Sequence, residues 1–372
     1  MSGPLNDVRV VSLAGMGPGP FAAMLLADLG AEVVRIQRPE AAEGPGAGES
    51  GIPLDKDIVT RGVVTVEADL KAESDLELVK GLSRLADVFM EGFRPGVAER
   101  LGVGPDALAE GNPRLIYARL TGYGQQGPLA NAAGHDINYV AQAGVLGMLG
   151  RRGERPTPPV NLLGDYAGGG LVATIGIISA LYERESSGRG QVIDAAMIDG
   201  VALLSAKLQG LRAAGQLSDQ PGTNWIDTGA PFYDTYLCAD GKHLAVGALE
   251  PRFYAAFVAG LGIGKDGLPA QDDVAGWPVL REKFSKAIAL KTRAEWLEIF
   301  RDSDACVAPV YSFDEAAVDP HNRARGLYAS VDGVLQPAPA PRFSRTPVRS
   351  PGKPGARESI EAVLLKWNGP QS

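Results

Sequence analysis

Residues 8–36 read VRVVSLAGMGPGPFAAMLLADLGAEVVRI, and this stretch decides the fold class. A β-branched run, Val8 to Leu13, is followed by a glycine- and proline-rich turn. An apolar helical segment, Phe21 to Leu29, comes next, and a second β-branched run spans Ala31 to Ile36. Strand, turn, helix and strand within thirty residues form a βαβ unit, which needs a parallel sheet with helices on its faces. The rhythm continues outward. Glu73 to Leu85 carries apolar residues at helical spacing, and Asp87 to Phe93 and Leu115 to Leu120 read as further strands. A long helix is expected from about Tyr166 to Glu185, and a short strand at Gln191 to Ile193. The expectation is an α/β, Rossmann-like parallel-sheet domain over residues 1–210.

The pattern changes after a polar, glycine-spaced linker at 211–224. Phe232 to Leu237 and His243 to Leu249 flank an Ala-Asp-Gly-Lys turn and form a hairpin. Helices are expected at Arg252–Gly260, Val279–Leu290 and Thr292–Phe300. A smaller α+β domain thus spans 225–325, and residues 326–372 return to the large domain.

Composition narrows the function. The 372 residues carry 36 Lys and Arg against 44 Asp and Glu, a net charge of −8. A nucleic-acid partner is therefore not expected, since neutralising phosphates needs a basic excess. Two cysteines, Cys238 and Cys306, are too few for a disulfide framework and fit a reduced compartment. The longest apolar stretch, Gly168 to Tyr182, is too short to span a bilayer. A cytoplasmic enzyme with no membrane partner is the expectation.

Individual motifs leave their roles open. Gly15-Met-Gly-Pro-Gly-Pro20 sits where phosphate loops occur, but its prolines lack the N–H donors of a dinucleotide loop. Gln37 and Arg38 stand where an acidic ribose ligand would be, so NAD is a poor fit. His135 is one of three histidines, and its neighbour Asp136 is placed to cap the following helix. Asp165 opens a long apolar helix whose Gly168, Gly169 and Gly170 cost about 1 kcal/mol each relative to alanine. That cost suggests the close approach of a ligand or of another backbone. Glu250 precedes Pro251 at a helix start, where glutamate is not a favoured cap. Arg94 lies just past a strand end, where parallel-sheet proteins bind ligands.

Taken together these segments resemble the α-methylacyl-CoA racemases within the family III CoA-transferase superfamily. The resemblance rests on GMGPGPFAAMLLADLGAEVVRIQRP (15–39), ADLK (68–71), EGFRPGVAERLG (91–102), LIYARLTGYGQQGP (115–128) and AGHDINY (133–139). It extends through NLLGDYAGGG (161–170), GAPFYDTY (229–236), AVGALEPRFY (245–254) and DACVAPV (304–310). AGHDINY is the most discriminating, because related CoA-transferases tend to carry an apolar residue in place of His135. The resemblance implies the family III CoA-transferase fold, built as an interlocked homodimer, and an acyl-CoA site on the large domain. By position, Arg38 would contact adenine, while Ala68, Asp69, Leu70 and Lys71 would lie along the nucleotide. Gly92, Phe93, Arg94 and Arg100 would hold the phosphates and pantetheine. Gly134, Asp136, Ile137, Asn138, Tyr139 and Gly164 complete the implied binding set. The implied catalytic groups are His135, paired with Glu250 from the other subunit, and Asp165. The chain departs from the family at 224–229, with Trp225 and Thr228, and at 57–64.

The implied reaction is exchange of (2R)- and (2S)-2-methylacyl-CoA through an enolate. It needs a base on one face of the α-carbon and an acid on the other. Backbone N–H groups at the Asp165 helix start are expected to meet the enolate oxygen. No metal or other cofactor is called for, CoA being part of the substrate. Two alternatives are a CoA-transferase using covalent Asp165 intermediates and a non-catalytic acyl-CoA binder.

Overall fold

The structure is a computed structural model describing residues 3–39, 52–53, 55–264, 267–348 and 350–369. The chain divides into two compact units. The larger comprises Met1–Ala143, Pro159–Leu204 and His321–Ser372, and the smaller Gly144–Pro158 with Ser205–Pro320. Relative to the sequence expectation, residues 144–158 and 205–224 group with the smaller unit. The helix Ala206–Ala213 runs into the segment expected to be a linker.

The larger unit is an α/β sheet layer. Its strands are β1 (Arg9–Leu13), β2 (Glu32–Gln37), β3 (Val63–Glu67), β4 (Val88–Glu91), β5 (Ile116–Thr121) and β6 (Val192–Ala196). With a short strand at Ala356–Arg357, the order is Ala356–Arg357, β3, β2, β1, β4, β5, β6, and every pairing is parallel. The chain leaves β1 toward β2 on one side, and β4 pairs with β1 on the other. Such a reversal opens a crevice at the carboxyl ends of the strands.

Alternation along the strands supplies two cores. Val10 faces a core shared with α1 (Pro18–Asp28) and with a long helix, α4 (Leu162–Ser187), through Leu26 and Ile177. Val11 and Phe89 face the opposite core, with Leu82 of α2 (Glu73–Leu85) and Trp367 of the C-terminal helix Ile360–Asn368. Helix α2 places Glu73 and Asp75 in its first turn and Arg84 in its last, complementing its dipole. Strand β3 had no expectation from sequence. It begins in the last two residues of the segment 57–64 and runs three residues past it. Within that segment Arg61 makes a two-pronged ion pair with Asp28 at 2.6 and 3.1 Å, both side chains nearly fully buried. Arg61 also donates to Gln336 and to the Pro337 carbonyl, which ties this segment to the C-terminal part of the larger unit.

Helix α4 corrects one expectation and narrows another. It is 26 residues long and apolar enough by length and composition to cross a membrane, longer than the stretch judged too short. Within the larger unit, however, one face is packed into the sheet core through Ala173, Ile177 and Ala180. The three glycines lie in its first part, Leu162–Leu171, wound as a π-helix, and what approaches them is protein. A Cβ on Gly169 would meet Pro18 at 2.7 Å, and one on Gly170 would meet Phe21 at 2.7 Å.

The smaller unit holds an antiparallel sheet of β7 (Tyr233–Leu237), β8 (His243–Gly247) and β9 (Val307–Pro309). It packs with α6 (Pro251–Gly260), α7 (Trp277–Ile288) and α8 (Arg293–Ile299) around Phe257, Phe284 and Trp296. Trp225 joins this aromatic cluster edge-on to Phe232 and Trp277, and Thr228 takes a positive φ of 76° with its carbonyl bound by Arg281.

Candidate active site

His135 and Asp165 converge on one cavity of about 570 Å³ in the larger unit. Its walls are Gly15–Gly19, which run from the turn after β1 into the start of α1, the segment Glu91–Arg94 from the last residue of β4 onward, and residues 120–123 at the end of β5. These are the carboxyl ends of the central strands, as the strand order requires. A second cavity of about 460 Å³ shares Gly15, Met16, Gly17, His135 and Asp165 with the first. It continues past Pro20, Ile58, Val59, Asn161 and Tyr166 to Arg35, Lys56 and Asp57. The two catalytic candidates therefore stand where two cavities meet.

His135 is exposed at the start of α3 (Asp136–Gln142), with its backbone N–H held by the Asn138 side chain at 3.0 Å. Asp165 is half-buried. Burial pushes its carboxyl above the usual range, against a hydrogen bond from Asn161 at 3.2 Å; nearby Asp136 adds to the rise and His135 opposes it. A carboxyl so placed is biased toward its acid form. Gly17, with φ 72°, leaves room for it: a Cβ there would stand 3.0 Å from the Asp165 carboxyl carbon.

Asp136 does something other than cap α3. Its carboxylate accepts the N–H groups of Gly164 (2.6 Å) and Asp165 (2.8 Å), capping the start of a helix nearly thirty residues away. This corrects the expectation that those amides receive an enolate oxygen, since they already have a buried carboxylate as partner. A helix start inside a core needs an acceptor, and Asp136 provides it.

Among the implied CoA-binding residues, Gly92, Phe93, Arg94, Gly134, Asn138 and Tyr139 line the first cavity. The Tyr139 ring occupies space left by Gly122 and Gly134, and its hydroxyl donates to the Gly134 carbonyl at 2.5 Å. Burial pushes that hydroxyl up to about 12. Gly164 and Asp136 are buried behind the wall, and Ile137 is exposed outside both cavities. Arg38 and residues 68–71 also line neither cavity, but they follow β2 and β3 and so share the carboxyl edge of the sheet. Ala68 is buried in the core, with its N–H bound to the Gln37 carbonyl. Asp69 forms a turn with Lys71, Leu70 packs on the core, and Lys71 is exposed. Arg100 is exposed at the end of the single turn Val97–Arg100. Glu250 belongs to the smaller unit, exposed at the start of α6.

Glu91 and Asn161 were not singled out from the sequence. Glu91 is buried at the end of β4, and burial pushes its carboxyl up to about 7 against the Phe93 N–H and the Arg119 charge, with the Glu99 charge adding to the rise. Its only sequence signal is a charged residue ending an apolar strand. Asn161 lies four residues before Asp165, one helical turn away, a spacing that could have found it.

Comparisons with known proteins place the chain in a family. The family model described as CoA-transferase family III matches residues 5–358. The alpha-methylacyl-CoA racemase of Mus musculus is 47% identical over 98% of this chain and 93% of its own length. That of Homo sapiens is 46% identical with the same coverage. A crystal structure of a CAIB/BAIF family protein from Brucella suis superposes with a TM-score of 0.84 at 26% identity. That match covers 99% of this chain and 100% of the Brucella chain.

Proposed function

Because this chain belongs to the CoA-transferase family III, we propose that its two-cavity site performs the chemistry of the mouse and human racemases it resembles. The protein is an isomerase that interconverts (2R)- and (2S)-2-methylacyl-CoA thioesters. The observation that carries the mechanism is the convergence of His135 and Asp165 where the two cavities meet.

The pantetheine arm runs along the first cavity past Phe93, Asn138 and Tyr139, and the acyl chain leaves through the second. Neutral His135 takes the α-proton of one epimer. The electron pair of the broken C–H bond moves to the thioester oxygen, forming an enolate. Protonated Asp165 then delivers a proton to the opposite face, and the C–H bond reforms with inverted configuration. In the reverse direction the two groups exchange roles. The upward displacement of the Asp165 carboxyl supports its use as the acid.

The working form is read as a homodimer in which Glu250 of the second copy orients His135. Support comes from an apolar stripe on the outer face of α4, where Leu171, Ile175, Ile178 and Tyr182 are exposed at helical spacing. Leu203 and Leu204 of α5 (Met197–Leu204) are exposed as well. Neither a metal nor a redox cofactor enters this scheme. Both cysteines are free thiols, in keeping with a cytoplasmic enzyme.

The test is α-deuterium uptake from heavy water by a single epimer of a 2-methylacyl-CoA. Exchange with loss of stereochemistry is expected; inversion should vanish in both His135→Ala and Asp165→Ala, and exchange of the epimer whose proton faces His135 should vanish in His135→Ala. Retained configuration without exchange overturns the reading. Capture of an Asp165 thioester by hydroxylamine, with transfer to a free acid, favours the transferase instead.

A further inference from the structure

Arg119, on β5, has no part in the scheme above, yet its guanidinium is buried among three polar side chains. The residue is 8% exposed. Its Nε lies 3.8 Å from the buried Glu91 carboxylate, one terminal nitrogen pairs with Glu99, and the other donates to Gln125 at 2.6 Å. Glu91 in turn accepts the Phe93 N–H at 2.6 Å. The two carboxylates bracket the segment 92–100. Glu91 anchors its beginning, and Glu99 directly precedes Arg100 at its end.

This segment carries Gly92, Phe93 and Arg94 at the cavity and Arg100 on the adjoining turn. A carboxylate beside two arginines that serve a diphosphate is a competitor for them. Glu99 held by Arg119 is kept from pairing with Arg94 or Arg100, and Glu91 is kept oriented on the Phe93 amide. We propose that Arg119 is a positioning residue for the diphosphate end of acyl-CoA: it clamps Glu91 and Glu99 and so fixes the segment that presents Arg94 and Arg100. The proposal rests on the acyl-CoA reading above. A planar guanidinium is needed because three groups are met at once, in different directions.

Arg119→Met and Arg119→Lys are compared using a 2-methylacyl-CoA and the same acyl group on pantetheine, which has no diphosphate. CoA binding is measured by calorimetry. For Arg119→Met the expected result is a KM for acyl-CoA and a Kd for CoA raised on the order of tenfold. Its kcat should stay within about twofold and its KM for the pantetheine thioester nearly unchanged. Arg119→Lys recovers part of the loss. Equal losses on both thioesters, a fall in kcat at constant KM, or no change in KM overturns the proposal. Should Arg119→Met not fold, Arg119→Lys decides: a KM raised severalfold on the CoA thioester alone supports it, and any other pattern refutes it. A wild-type protein that neither binds CoA nor exchanges the α-proton refutes the function reading instead.

Discussion

Gly17→Ala tests whether the cavity geometry matters for catalysis. The residue sits at φ 72°, and an alanine Cβ would lie 3.0 Å from Cγ and Oδ2 of Asp165 and 3.1 Å from Oδ1. Two costs follow. A non-glycine residue at φ 72° and ψ −117°, a conformation open essentially to glycine, costs on the order of 1–3 kcal/mol. The carboxyl must also retreat by about 0.5 Å to reach ordinary contact distance. That shift acts against the 3.2 Å hydrogen bond from Asn161. Since a misplacement of about 1 Å can cost 10²-fold in rate, a displacement of half that size should lower kcat about tenfold. The assay is α-deuterium exchange at saturating acyl-CoA, together with denaturant unfolding of Gly17→Ala in the wild-type and Asp165→Ala backgrounds. Removing the carboxyl removes the clash but leaves the backbone strain, so the destabilisation should shrink to the strain alone in the second background. Wild-type kcat in Gly17→Ala, or identical destabilisation in both backgrounds, would refute the reasoning.

Three further outcomes are expected. Burial puts the Glu91 carboxyl at about 7 against an ordinary 4.5, so its contribution to stability is complete below pH 4.5 and is lost as pH rises to 7. Glu91→Gln, neutral throughout, should therefore gain on wild type by up to about 3 kcal/mol between pH 5 and 8; parallel denaturation curves across that range would mean Glu91 is charged throughout. Arg61→Met should cost about 3–5 kcal/mol by stranding the Asp28 carboxylate. Burial already pushes that carboxyl upward despite the ion pair, so Asp28→Asn combined with Arg61→Met should cost less than the two single changes added together. Ile175→Glu should convert a dimer to a monomer in sedimentation, and a wild-type chain that sediments as a monomer would dismiss the α4 stripe as the interface.

Much of the larger unit was legible because its signals are local. The stretch 8–36 announces strand, turn, helix and strand through β-branched runs and a glycine-proline turn, and β1, α1 and β2 follow it closely. Helix α2 matches its expected limits because the apolar spacing and the end charges agree. The local motifs of His135 and Asp165 left their roles open, and only the family resemblance made them catalytic candidates. Strand β3 escaped notice because it is only five residues long and starts directly after Thr60, Arg61 and Gly62, which break the apolar run before it. Helix α5 carries an ordinary apolar pattern that continues straight from β6.

By itself, then, the sequence determined the parallel βαβ architecture and the residue types at the site, because periodicity and turn chemistry act between near neighbours. Only the tertiary structure decided what those residues meet. It decided between a ligand and another part of the chain at the costly glycines of α4, where Pro18, Phe21 and the Met197 backbone come close. It gave the Asp136 carboxylate to the start of α4 instead of its own helix. It gathered Glu91, Glu99 and Arg119 from separate elements around one guanidinium. Hydrogen bonds and steric contacts between residues far apart in the chain leave no periodic trace, so they can be read only once the backbone has brought them together.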